Sequence, residues 1–270
     1  MSGGYVTKAV ARDLDRRLNE RDRAVAHSVC ELRFVSGAQL ARMHFVGSDA
    51  RAVRRTLLRL TRLDVLERLP RVVGGVRAGS AGFVYRLGLR GQRLALERGW
   101  IADRRRRRSR IPGTLFMNHA LAVAELHTQL VEAARADGPE LLELGAEPAC
   151  WRRQTSGVGA SAPMVLKPDS YVRLGVGEDE LVYFIEVDMG SEGSRALMRQ
   201  LRAYVAYWQS GCEQAEHGVF PKTLWLVPDE QRAAAIEGCI RKLPCSERKL
   251  FSVALFEEAV VLMSRSSGEG

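Results

Sequence analysis

The octapeptide LVYFIEVD, residues 181–188, restricts the fold more than any other segment of this chain. It is too apolar for a surface strand, and its aromatic and β-branched residues fit a central strand buried on both faces. Yet it ends in Glu186 and Asp188. Carboxylates at a buried strand end are costly unless a cation or hydrogen bonds compensate. The strand period of two puts Glu186 and Asp188 on one face. Asp169 can lie opposite them if the run holding Lys167, Pro168 and Asp169 forms a hairpin with LVYFIEVD across the turn of Gly175 and Gly177. Three acids converging there suggest a shared divalent metal. The alternative is two acids capping a strand end near the helix that begins around Ser191, where the helix dipole favours negative charge.

The charge is divided unevenly. Residues 1–110 carry 26 Lys+Arg against 10 Asp+Glu, a net of +16, whereas the remaining 160 residues carry 15 against 22, a net of −7. The basic end is suited to a polyanion, and the acidic end is not. No run approaches the eighteen apolar residues of a membrane span and the start lacks a secretory apolar region, so the expectation is a soluble, cytoplasmic protein with no membrane partner. Five cysteines at scattered positions, without CxxC or Cys/His spacing, read as reduced thiols and argue against a zinc finger.

Along the chain, Val6, Val10, Leu14 and Leu18 form an apolar stripe that predicts a packing helix in an N-terminal arm, residues 1–20. A three-helix pattern follows. Val25, Val29 and Leu32 mark the first helix, Ser36 with Gln39 forms a capping-box signature before the second, and Ser48 can cap the third. In that third helix Val53, Leu57 and Leu60 make an apolar face, while Arg51, Arg54, Arg55, Arg59 and Arg62 occupy the remainder. A short helix, a tight turn and a second helix with a basic outer face is the helix-turn-helix arrangement. VLERLPRVV and FVYRLGL, separated by a Gly-rich turn and carrying Arg71, Arg77 and Arg86, read as a β-hairpin wing. Residues 21–100 are thus expected to form a winged helix-turn-helix that binds double-stranded DNA.

A linker, residues 101–113, holds five consecutive arginines, of which Arg105 and Arg106 are candidate phosphate contacts. Residues 114–264 predict a long helix, a strand near 148–154, the two core strands, a helix with Gln200 and Tyr204, a buried strand TLWLVPD, a helix from Glu230 and a final strand near Phe251–Phe256. This order fits a mixed β-sheet flanked by helices, of α+β or α/β class. Residues 265–270 are expected to be a disordered tail. His119 and His127 on the long helix are expected to be structural.

Pro168-Asp169, the hairpin turn and Glu186-Val187-Asp188 resemble the core of PD-(D/E)xK nucleases, with Asp188 standing where that superfamily places its lysine. Gln200 and Tyr204, four apart on one helical face, resemble the QxxxY motif of RecB-like nucleases. With the N-terminal half, the whole chain resembles the replication-relaxation family of plasmid and mobile-element proteins. The resemblance implies a restriction-endonuclease-like second domain in which Asp169, Glu186 and the Val187 carbonyl, with Glu125 from the first helix, would hold Mg²⁺ or Mn²⁺ for phosphodiester hydrolysis. Gln200 and Tyr204 would orient substrate or water. Lys167, two residues before Asp169, could substitute for the missing lysine; Asp188 could bind a second metal; or the fold could serve DNA binding without catalysis. Replication or transfer proteins are candidate partners, and a homodimer is implied by analogy with winged-helix half-sites.

Overall fold

The computed structural model describes residues 6–69, 82–101, 113–154, 164–190 and 192–265. They fall into two compact units, Met1–Thr128 and Gln129–Gly270. The Gly-rich turn with Arg71 and Arg77, the linker arginines Arg105 and Arg106, and the tail 266–270 lie outside the described residues.

The first unit contains α1 (Lys8–Arg17), α2 (Glu20–Leu32), β1 (Val35–Ser36), α3 (Gly37–His44), α4 (Ala50–Arg62), β2 (Leu66–Leu69), β3 (Val84–Leu87), α5 (Leu89–Glu97) and the start of α6 (Thr114–Arg135). The stripe from Val6 to Leu18 buries Leu14 and Leu18 but leaves Val10 exposed. The chain then restarts as α2 because Asn19 and Asp22 cap each other's backbone N–H reciprocally. Ser36 and Gln39 make the expected capping box on α3. The cap of α4 is Asp49 and not Ser48. Gly47 takes a left-handed conformation and the Ser48 N–H turns back to the Phe45 carbonyl, so the helix begins one residue later.

Val53, Leu57 and Leu60 of α4 are buried as their spacing predicts. β2 and β3 pair antiparallel, Leu66 opposite Leu87, and β1 adds to β3 in a three-stranded sheet of order β1-β3-β2. Helix α5 lies directly on the backbone at the start of β2: a Cβ on Gly91 would come within 2.0 Å of the Val65 carbonyl oxygen. The division between the units falls inside α6, not at the 113/114 position expected from the Arg-rich segment. Met117, Ala120 and Leu121 of its first turns pack with Phe34, Leu69 and Val84 and so join the first unit.

The second unit contains β4 (Glu140–Ala146), β5 (Arg152–Gln154), β6 (Met164–Leu166), β7 (Ser170–Val176), β8 (Asp179–Val187), α7 (Ser194–Gln209), α8 (Cys212–His217), β9 (Lys222–Val227), α9 (Glu230–Ile240) and β10 (Phe251–Leu255). Two short helices, Cys245–Arg248 and Ala259–Met263, flank β10. A mixed five-stranded sheet has the order β10-β9-β8-β7-β4. The β4, β7 and β8 pairings are antiparallel and the β8, β9 and β10 pairings parallel. LVYFIEV is therefore the central strand. Each parallel step needs a crossover, supplied by α7 and then by α9. Phe184, Leu201, Tyr204, Trp225 and Ile236 fill the core between the sheet and these helices.

Two strand expectations are corrected. The strand near 148–154 is β5, which pairs with β6 in a separate two-stranded sheet, and the edge of the main sheet is β4 instead. Lys167, Pro168 and Asp169 lie in a break between β6 and β7 and not within one strand; Pro168 has no N–H to donate to a ladder. No helix among the described residues is long and apolar enough to cross a membrane.

Candidate functional site

Asp169 sits just before β7, where the register Ser170 opposite Ile185 carries it alongside Glu186. Its N–H donates to the Ile185 carbonyl at 3.0 Å, and its Oδ2 accepts from the Val187 N–H at 2.8 Å. A strand residue directs its N–H and C=O toward the same neighbour, so the Val187 carbonyl also faces the Asp169 side. Glu186 is only 4% exposed. One of its oxygens accepts from the Tyr204 hydroxyl, and Gln200 donates a further hydrogen bond. Gln200 and Tyr204 lie one turn apart on α7, which the β8–β9 crossover lays over the end of β8.

Burial pushes the Glu186 carboxyl well above the ordinary carboxylate range, and the charge of Asp169 adds to it. Hydrogen bonds from Tyr204 and Gln200 oppose the shift without cancelling it. The Tyr204 phenol is likewise pushed up, by burial first and then by Glu186. The result is a buried Glu186 carboxyl held by neutral donors beside the half-buried Asp169, whose charge disfavours its ionisation.

Asp188 faces other partners. Arg232, in the first turn of α9, reaches it with Nε to Oδ1 at 2.8 Å and Nη2 to Oδ2 at 2.6 Å, while the Gly190 N–H also donates to Oδ1 at 2.6 Å. Asp229 caps α9 by accepting from the Arg232 backbone N–H at 2.9 Å, which fixes the start of the helix that carries the guanidinium. The Lys167 ammonium lies 4.8 Å from the centroid of the Trp151 ring. Glu125 belongs to the first unit, where it accepts from the Gln39 side chain at 3.0 Å and from Arg42. The structure thus brings Asp169, Glu186, Gln200 and Tyr204 together, gives Asp188 to Arg232, sets Lys167 against Trp151 and uses Glu125 to hold α3.

No group of three or more His, Cys, Asp or Glu side chains among the described residues is disposed to hold a metal ion. The oxygen donors at the end of β8 are the two carboxylates of Asp169 and Glu186 and the Val187 carbonyl.

In the first unit, Arg51, Arg54, Arg55 and Arg62 are exposed on α4, and among the described residues none of them is ion-paired. Arg59 instead pairs with the buried Asp22 of α2. Arg86 is engaged by Glu67 through two hydrogen bonds of 2.9 Å across the β2–β3 pair. Sequence reasoning missed Arg232; its signal was a cation three residues after a helix cap, following a buried strand parallel to β8.

These features define a two-unit α+β protein with a basic helix in one unit and, in the other, a buried glutamate paired with a half-buried aspartate at the end of a central strand. The replication-relaxation family model matches residues 27–223, which include both features, and the chain belongs to that family. Membership points to a role in the replication of plasmids or mobile elements and to interaction with DNA. No curated protein and no solved structure matched the chain.

Proposed function

We propose that this chain is a DNA-binding accessory factor of plasmid or mobile-element replication or transfer. In this reading α2 to α5 with the β2–β3 hairpin form a winged helix-turn-helix, and the second unit is a PD-(D/E)xK nuclease-like fold. The observation that carries it is the exposed arginine face of α4, where Arg51, Arg54, Arg55 and Arg62 stay outside the ion pairs of the described residues. The +16 charge of residues 1–110 supports the same partner.

Cleavage is the second reading, favoured by the apposition of Asp169 and Glu186. Those residues with the Val187 carbonyl would hold Mg²⁺ or Mn²⁺, which would supply charge neutralisation at a phosphate and an activated water. Gln200 and Tyr204 would fix the Glu186 carboxylate. Against this reading, the position of the superfamily's lysine holds an acid closed in an ion pair with Arg232, and Lys167 is stacked on Trp151. DNA binding without cleavage is therefore the preferred function. Incubating the protein with supercoiled plasmid in Mg²⁺, Mn²⁺ or EDTA separates the two. Retarded, uncut plasmid is expected; metal-dependent nicking that disappears in Asp169→Asn would establish the second reading.

A further inference from the structure

We infer that Leu58 is a base-reading residue of α4 and selects the C5-methyl group of a pyrimidine, thymine in ordinary DNA, in the major groove; this rests on the DNA-binding reading above. Beyond Ala50 at its first position, the exposed residues of α4 are Arg51, Arg54, Arg55, Leu58 and Arg62. At about 100° per residue they form one face, with Arg51, Leu58 and Arg62 within about 20° of a common line and Arg54 and Arg55 on either side of it. Leu58 lies within about 20° of the centre line, one turn from Arg54, Arg55 and Arg62, and is 44% exposed.

A single exposed leucine is ordinary on a protein surface. This one is the sole apolar member of a face otherwise made of arginine, on a helix whose inward face is already filled by Val53, Leu57 and Leu60. When such a helix enters a groove, the long arginines at the sides of the face reach phosphates while side chains near the centre line meet base edges. Leucine can neither donate nor accept a hydrogen bond. The apolar group that a base edge offers it in the major groove is the thymine methyl.

The test uses the full chain. Duplexes are enriched by binding from a random pool, and each thymine of the selected site is replaced singly by deoxyuridine, which removes the methyl and leaves the hydrogen-bonding edge unchanged. The expected result is a position at which the replacement weakens wild-type binding about fourfold, the equivalent of the ~0.8 kcal/mol of one buried methyl group. Leu58→Ala, a change at an exposed position that leaves the core intact, loses the response there and keeps it elsewhere. A 5-methylcytosine·guanine pair at that position should recover part of the wild-type loss, since it presents the same methyl. Indifference of the wild type to methyl removal at every position, or an unchanged response in Leu58→Ala, overturns the inference while leaving DNA binding standing. Failure of the full chain to enrich or bind any duplex removes the DNA-binding reading and this inference together.

Discussion

Arg232 closes on Asp188 through both carboxylate oxygens, at 2.8 and 2.6 Å, at the end of the central strand. The pair is largely buried, with side-chain exposures of 14% and 4%. Removing one partner leaves a buried, uncompensated charge, whereas removing both does not. Arg232→Met alone is therefore expected to destabilise the second unit by ~3–5 kcal/mol. The double variant Arg232→Met, Asp188→Leu should recover a large part of that loss. A denaturant double-mutant cycle measures it, and additive losses would show that the two side chains do not act as a pair.

Glu125 was a candidate metal ligand, and the structure gives it to Arg42 and Gln39 of α3. Glu125→Ala is expected to cost ~1–3 kcal/mol by releasing these polar groups. The loss should appear in the unfolding of the first unit, and a variant as stable as the wild type speaks against the clamp.

Burial pushes the His127 imidazole down to about 3 from an ordinary 6.5. Between those values the unfolded chain binds a proton that the folded chain refuses. Its contribution is thus complete above pH 6.5 and is lost as pH falls toward 3, with a slope of at most about 1.4 kcal/mol per pH unit. Denaturation at pH 7 and pH 5 should show the loss, and His127→Leu should be flatter over that interval. An equally steep pH dependence in the variant assigns the effect to another group.

The parts of the fold that were legible in the sequence are those with one strong period. LVYFIEV is central because every residue of it is apolar or β-forming up to Glu186, and α4 is a helix because Val53, Leu57 and Leu60 recur on one face. That Gln200 and Tyr204 share one face of α7 followed from their spacing of four, whereas the Tyr204 hydrogen bond to Glu186 had no local signal. Strand β4 was not visible: ELLELGA is buried only at Ala146 and has a register shift between Leu141 and Glu143, so it carries no clean alternation. The partners of Asp188 and Glu125 were hidden for a different reason. Arg232 lies 44 residues from Asp188 and Arg42 lies 83 from Glu125, and separations of that size are set by tertiary packing, which leaves no local pattern.

The central claim is that the α4 arginines meet DNA phosphates, and the salt dependence of duplex binding tests it most directly. Titrating a labelled duplex with the full chain at several salt concentrations should give a steep negative slope of log K against log salt. In Arg51→Ala, Arg54→Ala, Arg55→Ala combined, affinity should fall and the slope should flatten by up to about 2.7, at ~0.9 for each phosphate that is no longer neutralised. Unchanged affinity and slope in that variant would contradict the assignment of α4 as the DNA-binding helix.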